Sequence, residues 1–164
     1  MIMASIISVP RLVFLMALLF TAAAVLAACV DVGDAVIASV GKVTSKEFYS
    51  SGGFRDYTDY AKYTFEDAKM ENNPYFSPMT ENTAGALNMY LNDFEEWVRV
   101  VSENEPDGGL SAKYDFDRDL ITEDDYVYIN STVTRTPMYT SFDRYDIYFF
   151  DSETGVLYFF HNNT

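Results

Sequence analysis

The densest collection of potentially reactive side chains is Asp115-Phe116-Asp117-Arg118-Asp119, followed closely by Glu123, Asp124 and Asp125. Alternating carboxylates of this kind open the loops that wrap a calcium ion, because a hard cation takes several oxygen ligands. The pattern breaks at its sixth position, Leu120, where the sharp turn needs glycine, and at its twelfth, Tyr126, where glutamate should supply two oxygens. Asp115, Asp117 and Asp119 stand as metal candidates against a plainer expectation. That expectation is a strand end with Tyr114 and Phe116 inward and the acids in water.

Nucleophilic catalysis is thinly supplied. The one histidine, His161, lies three residues from the C-terminus, and any serine relay would have to use it. No Gly-x-Ser-x-Gly elbow is present, and Ser39-Val40-Gly41-Lys42 has a Ser-x-x-Lys spacing without the companion motifs that make it reactive. Gly41-Lys42 is followed by Val43, so no phosphate-binding loop forms there, and no cysteine or histidine spacing suits zinc. Close carboxylate pairs could hydrolyse glycosides, but among 25 acids such pairs are inevitable and carry no information. The sequence therefore predicts no catalytic residues and no cofactor, with a small carboxylate-based hydrolase of cell-wall material as the alternative.

The remaining reactive group is the single thiol, Cys29. Met1 to Arg11 carries one basic side chain, Leu12 to Leu26 is an apolar run interrupted only by Thr21, and the run ends in Leu26-Ala27-Ala28-Cys29. This is the anatomy of an export signal. Its end resembles the lipobox of bacterial lipoproteins: an aliphatic residue, two small residues and the cysteine. The resemblance implies a diacylglyceryl group on Cys29, removal of residues 1–28, and attachment to the outer face of a cell membrane. Two acyl chains hold where one is marginal, since each buried CH₂ contributes about 0.8 kcal/mol. Two alternatives stay open: an ordinary signal cut after Ala27, or retention of Leu12 to Val30, long enough to span a bilayer once.

Charge narrows the partners. From Cys29 onward ten basic side chains face 25 acidic ones, a net charge of −15. Phosphate binding needs clustered Lys and Arg, so nucleic acid is excluded as an expected partner. Anionic headgroups would repel the domain, leaving the lipid on Cys29 as what keeps it at a membrane. A cationic protein, peptide or cell-wall polymer is the complementary outside partner.

The elements that must position these groups are read from hydrophobic period. Residues 29–53 lack a sustained period and read as a tether, although Asp34 to Val43 is apolar enough for a strand. Phe54 to Ala68 fits either period and is taken as a strand. Thr80 caps a helix from Glu81 to Val101, whose stripe is Ala84, Leu87, Leu91, Phe94, Val98 and Val101, widened by Tyr90 and Trp97. Pro106-Asp107-Gly108-Gly109 ends it. Strands follow at Ser111–Phe116, Tyr126–Thr132, Arg144–Asp151 and Val156–His161, the last two joined as a hairpin through Ser152-Glu153-Thr154-Gly155. That hairpin carries rings on both faces, which predicts a central or doubly covered position. The expected fold is one α+β domain over residues 54–164, a long helix on a four-stranded antiparallel meander, five-stranded if Phe54–Ala68 joins. The layout is similar to cystatin-like folds, and the chain from Phe54 is similar to small bacterial proteins ending in an aromatic hairpin. Neither resemblance implies an activity.

Overall fold

The computed structural model describes residues 34–52, 56–103, 105, 107–135 and 140–163. The apolar run, the Leu26–Cys29 motif and Cys29 itself lie outside the described residues. Among the described residues no helix is long and apolar enough to cross a membrane. The account below concerns the compact unit Val36–Thr164, which is separate from Met1–Ala35.

Among the described residues two α-helices and six strands follow in the order α1 (Ala35–Val40), β1 (Lys42–Gly52), β2 (Tyr57–Glu66), β3 (Ser77–Pro78), α2 (Glu81–Ser102), β4 (Tyr126–Arg135), β5 (Thr140–Asp151) and β6 (Val156–Asn163). The strands make one antiparallel sheet of order β1-β2-β6-β5-β4-β3. An α+β fold with one long helix on an antiparallel sheet is therefore present. The sheet has six strands, however, and is not a simple meander, because the last strand inserts between β2 and β5.

That central place explains the aromatic hairpin. Tyr158 and Phe160 of β6 point to the α2 side, where they join Tyr60, Phe94, Ile147 and Phe149. Leu157, on the opposite face, joins Ala61, Tyr63, Tyr148 and Phe150 beneath Val36, Ile37 and Val40 of α1 and the loop residues Met70 and Phe76. A strand covered on both faces needs apolar residues at successive positions. The same rule explains why Phe54–Ala68 shows no clean period of two: β2 sends Tyr60 to one core and Ala61 to the other.

The helix α2 follows its sequence signals closely. Thr80 accepts from the Thr83 amide at 3.2 Å, and the Thr80 amide donates to Thr83 Oγ1 at 2.7 Å, a reciprocal cap of the first turn. Leu87, Leu91, Phe94 and Val98 are buried as the stripe predicts. In the last turn Ser102 is buried in place of Val101, because its hydroxyl accepts the Ser111 amide at 2.9 Å.

Three expectations are corrected. The stretch taken as a tether folds from Ala35 onward as α1 and β1, and β1 pairs with β2 along its whole length. Its side chains are nearly all exposed on both faces, so it carries no hydrophobic alternation to read. Ser111–Phe116 is not a strand: Gly109–Ala112 forms a 3₁₀ turn, and the amides of Lys113 and Tyr114 both donate to the Leu110 carbonyl. Phe116 is nonetheless buried, edge-on to Phe149, Tyr158 and Phe160. The third is β3, two residues including Pro78, too short for any periodic signal.

The β5–β6 turn is fixed by Asp151, 2% exposed, whose Oδ1 accepts the amides of Glu153 at 2.9 Å and Thr154 at 3.2 Å. Gly155 supplies the left-handed residue, with φ of 70°. Asp151→Ala would strand both amides, and equilibrium urea unfolding should show a loss of about 2 kcal/mol. An unchanged midpoint would mean the hairpin closes without its aspartate.

Candidate functional site

Buried rings bring their hydroxyls with them, and each of three tyrosines on the α2 side meets a carboxylate. Tyr60 donates to Asp115 at 2.7 Å, Tyr114 to Glu95 at 3.1 Å and Tyr145 to Asp93 at 2.9 Å. Burial drives all three phenols well above their ordinary pKa, and the neighbouring carboxylates push the same way. They stay protonated donors. Arg118 grips Glu95 with two bonds, from Nε at 3.1 Å and Nη2 at 2.8 Å, tying the loop before β4 to α2.

These bonds place the metal candidates. Asp115 serves Tyr60 through one oxygen and Lys62, at 2.7 Å, through the other. Burial raises its pKa, but the bonds from Lys62 and Tyr60 outweigh burial and hold the carboxyl below its ordinary value. Asp117 caps the 3₁₀ turn Arg118–Leu120 by accepting the Asp119 amide at 2.9 Å, and Asp119 is exposed. Among the described residues no group of three or more His, Cys, Asp or Glu converges as a metal would require. Ser39 lies in α1 and donates to the Val36 carbonyl at 2.6 Å, while Lys42 pairs with Glu66 at 2.8 Å, so the Ser-x-x-Lys residues are engaged separately.

The polar cluster that stands out is on the other face. Asp59, His161, Asp146 and Asn130 lie opposite one another on β2, β6, β5 and β4, forming one rung across four strands. His161 Nδ1 is 2.6 Å from Asp146 Oδ1, and Asn130 donates to Asp146 Oδ2 at 3.2 Å. An ionised carboxylate only accepts, so Nδ1 carries the proton of that bond. The ring is 5% exposed and stacks on Tyr57 at 4.9 Å. Both His161 Nε2 and Asp59 Oδ1 are buried without a hydrogen-bond partner. Serine or cysteine catalysis would need a hydroxyl or thiol bonded to Nε2, and among the described residues none is. A polar cleft of about 290 Å³ adjoins the rung at Asn130, Thr132, Arg144 and Asp146.

This rung went unread from the sequence, although one signal could have found it. The four-residue loop pairs Asp151 with Val156, and counting back along that register sets Asp146 against His161. Asp59 had no such signal, because the β2–β6 pairing joins distant segments.

The described tyrosines are buried or half-buried, none fully exposed, while most described carboxylates face water. The outer surface is therefore acidic and not tyrosine-rich. One groove of about 360 Å³ runs beside β1, lined by Tyr49, Ser50 and Leu110 with the acids Glu105 and Asp107 and the cation Lys113.

Two titrations separate the tyrosine-bound carboxylates Asp93 and Asp115. Asp93 has its pKa raised by burial, partly opposed by the Tyr145 bond. A raised value favours folding below the ordinary aspartate pKa, and that benefit fades as pH rises through the folded-state value. Asp93→Asn should therefore gain stability relative to the parent across that rise. The depressed pKa of Asp115 works oppositely: its stabilisation is present above the ordinary value and is lost as pH falls through the folded one. Asp115→Asn should cost stability at neutral pH and converge with the parent in acid. Thermal melts from pH 2 to 7 read both, and parallel curves would refute the assignment.

In comparisons with known proteins, no family model, curated protein or solved structure matches this chain.

Proposed function

We propose that this chain is an extracytoplasmic lipoprotein, held to a membrane through lipid on Cys29, that works as a binding, inhibitory or envelope-assembly module for a cationic partner. The observation that carries the reading is the acidic surface of the chain beyond Cys29, where most described carboxylates face water. The −15 net charge of the remainder, turned outward as exposed carboxylates, favours encounter with a basic protein, peptide or cell-wall polymer. Such a surface has no use for nucleic acid.

The reading is non-enzymatic, since the one histidine, His161, is 5% exposed and its Nδ1 is engaged by Asp146. The carboxylate-hydrolase reading draws on Asp59 and Asp146, which flank His161 from neighbouring strands. It requires substrate to reach an acid that is 9% exposed. The helix-on-sheet layout remains cystatin-like in kind, and its second covered face is a departure from a single helical layer.

Mass spectrometry of the mature protein should find Cys29 as the first residue, carrying a diacylglyceryl group. Cys29→Ser should abolish lipidation and leave residues 1–28 attached. Intact Met1 on the parent chain, or an unlipidated product in the medium, would overturn the anchor. Capture from an extracellular fraction should yield basic partners at low salt and lose them at high salt. Salt-independent capture would count against the charge-led reading.

A further inference from the structure

The edge strand β1 has a free side. Lys42–Gly52 pairs with β2 on one edge, and among the described residues no strand pairs with the other. An open ladder this long is a template for another strand unless something blunts it. Here the blunting is uneven. The register shift between Val43 and Ser45 disturbs the N-terminal part, whereas Lys46 to Gly52 runs in unbroken register.

That regular part borders the acidic groove. Tyr49 and Leu110 give the groove its apolar lining, while Phe48, 48% exposed and opposite Ala61, turns its side chain to the other face of the sheet. Ser51 Oγ donates to Glu105 Oε1, which fixes a carboxylate beside the strand. A Cβ at Gly109 would press on that carboxylate. Asp107 adds a second acid, Lys113 is the groove's own cation, and Glu47 is exposed on the strand itself.

Taking the binding-module reading as its basis, we infer that β1 receives an extended basic segment of a partner protein as a seventh strand. Main-chain bonds to the open edge would supply affinity, and Lys or Arg at alternate positions would meet Glu105 and Asp107. The occupant follows from charge. Pairing two copies through β1 would press two strongly acidic domains together, whereas a cationic strand relieves the repulsion.

The test uses the whole chain in detergent and the probe acetyl-Lys-Val-Lys-Val-Lys-Val-Lys-amide, labelled for fluorescence anisotropy. Binding should be saturable, fall with salt, and slow amide exchange in Phe48 to Ser51. Glu105→Gln with Asp107→Asn should weaken it about tenfold, as two exposed ion pairs within their usual range of strength would. Glu123→Gln with Asp124→Asn, at the far side of the sheet, should change it little. N-methylating alternate probe residues in one frame should abolish binding, while the other frame leaves it intact, because a strand bonds its neighbour through every second amide.

If both frames bind alike, or the two acid pairs matter equally, edge pairing is wrong although the charge-led reading survives. If neither this probe nor polylysine binds at low salt, the charge-led reading itself fails. A chain that self-associates through β1 and excludes the probe would also overturn the proposal.

Discussion

The structure turns on the central trio β2-β6-β5 being apolar on both faces. A sheet with one greasy side needs one cover; this one needs two. The α2 helix answers on one side with Leu87, Leu91, Phe94 and Val98. The other side falls to α1 and to the loop carrying Met70 and Phe76. Burying side chains of this size contributes roughly 1.5 to 3 kcal/mol each, so neither layer is dispensable in a domain of ordinary marginal stability. The short helix of Ala35–Val40 would be unstable alone, and it exists because Val36, Ile37 and Val40 close the second core.

Using tyrosine for so much of that core creates a second demand. A buried hydroxyl without a partner is costly, and backbone groups in a sheet are already paired with each other. Carboxylates from outside the ladder meet the need: Asp93 and Glu95 from α2, Asp115 from the loop before β4. Part of the acidic composition thus belongs to the fold. The carboxylates so used are also the ones whose pKa values move, or whose tyrosine partners' do, which links the aromatic core to acid stability.

How far the fold was legible follows from the same facts. The long helix could be read because only one of its faces is buried, and the terminal hairpin because its loop and strand formers agree. Lys42–Gly52 could not, since an exposed edge strand is held by backbone bonds that leave no mark on side-chain pattern. Ser111–Phe116 misled for the converse reason: Tyr114 and Phe116 alternate inward as in a strand, but their backbone bonds are those of a turn. The rung of Asp59, His161 and Asp146 depends on register across three strands, of which only the hairpin's part is local in sequence. The acidic groove was hidden too, because it joins Tyr49 and Ser50 to Glu105 and Asp107 from far along the chain.

An open edge and a large net charge are usually treated as separate properties, and here one tempers the other. An exposed strand invites pairing with any chain, including another copy. Lys, Pro and bulges are the local guards, and β1 has only the shift at Val43 and Ser45 with its charged residues. Net charge is a guard of longer range, because repulsion between two acidic domains acts over about a Debye length, before their strands meet. It does not act against a cation. On the proposed reading the combination would discriminate by sign: like chains would be kept apart and a basic strand drawn in, with specificity supplied by what is repelled as much as by what is bound.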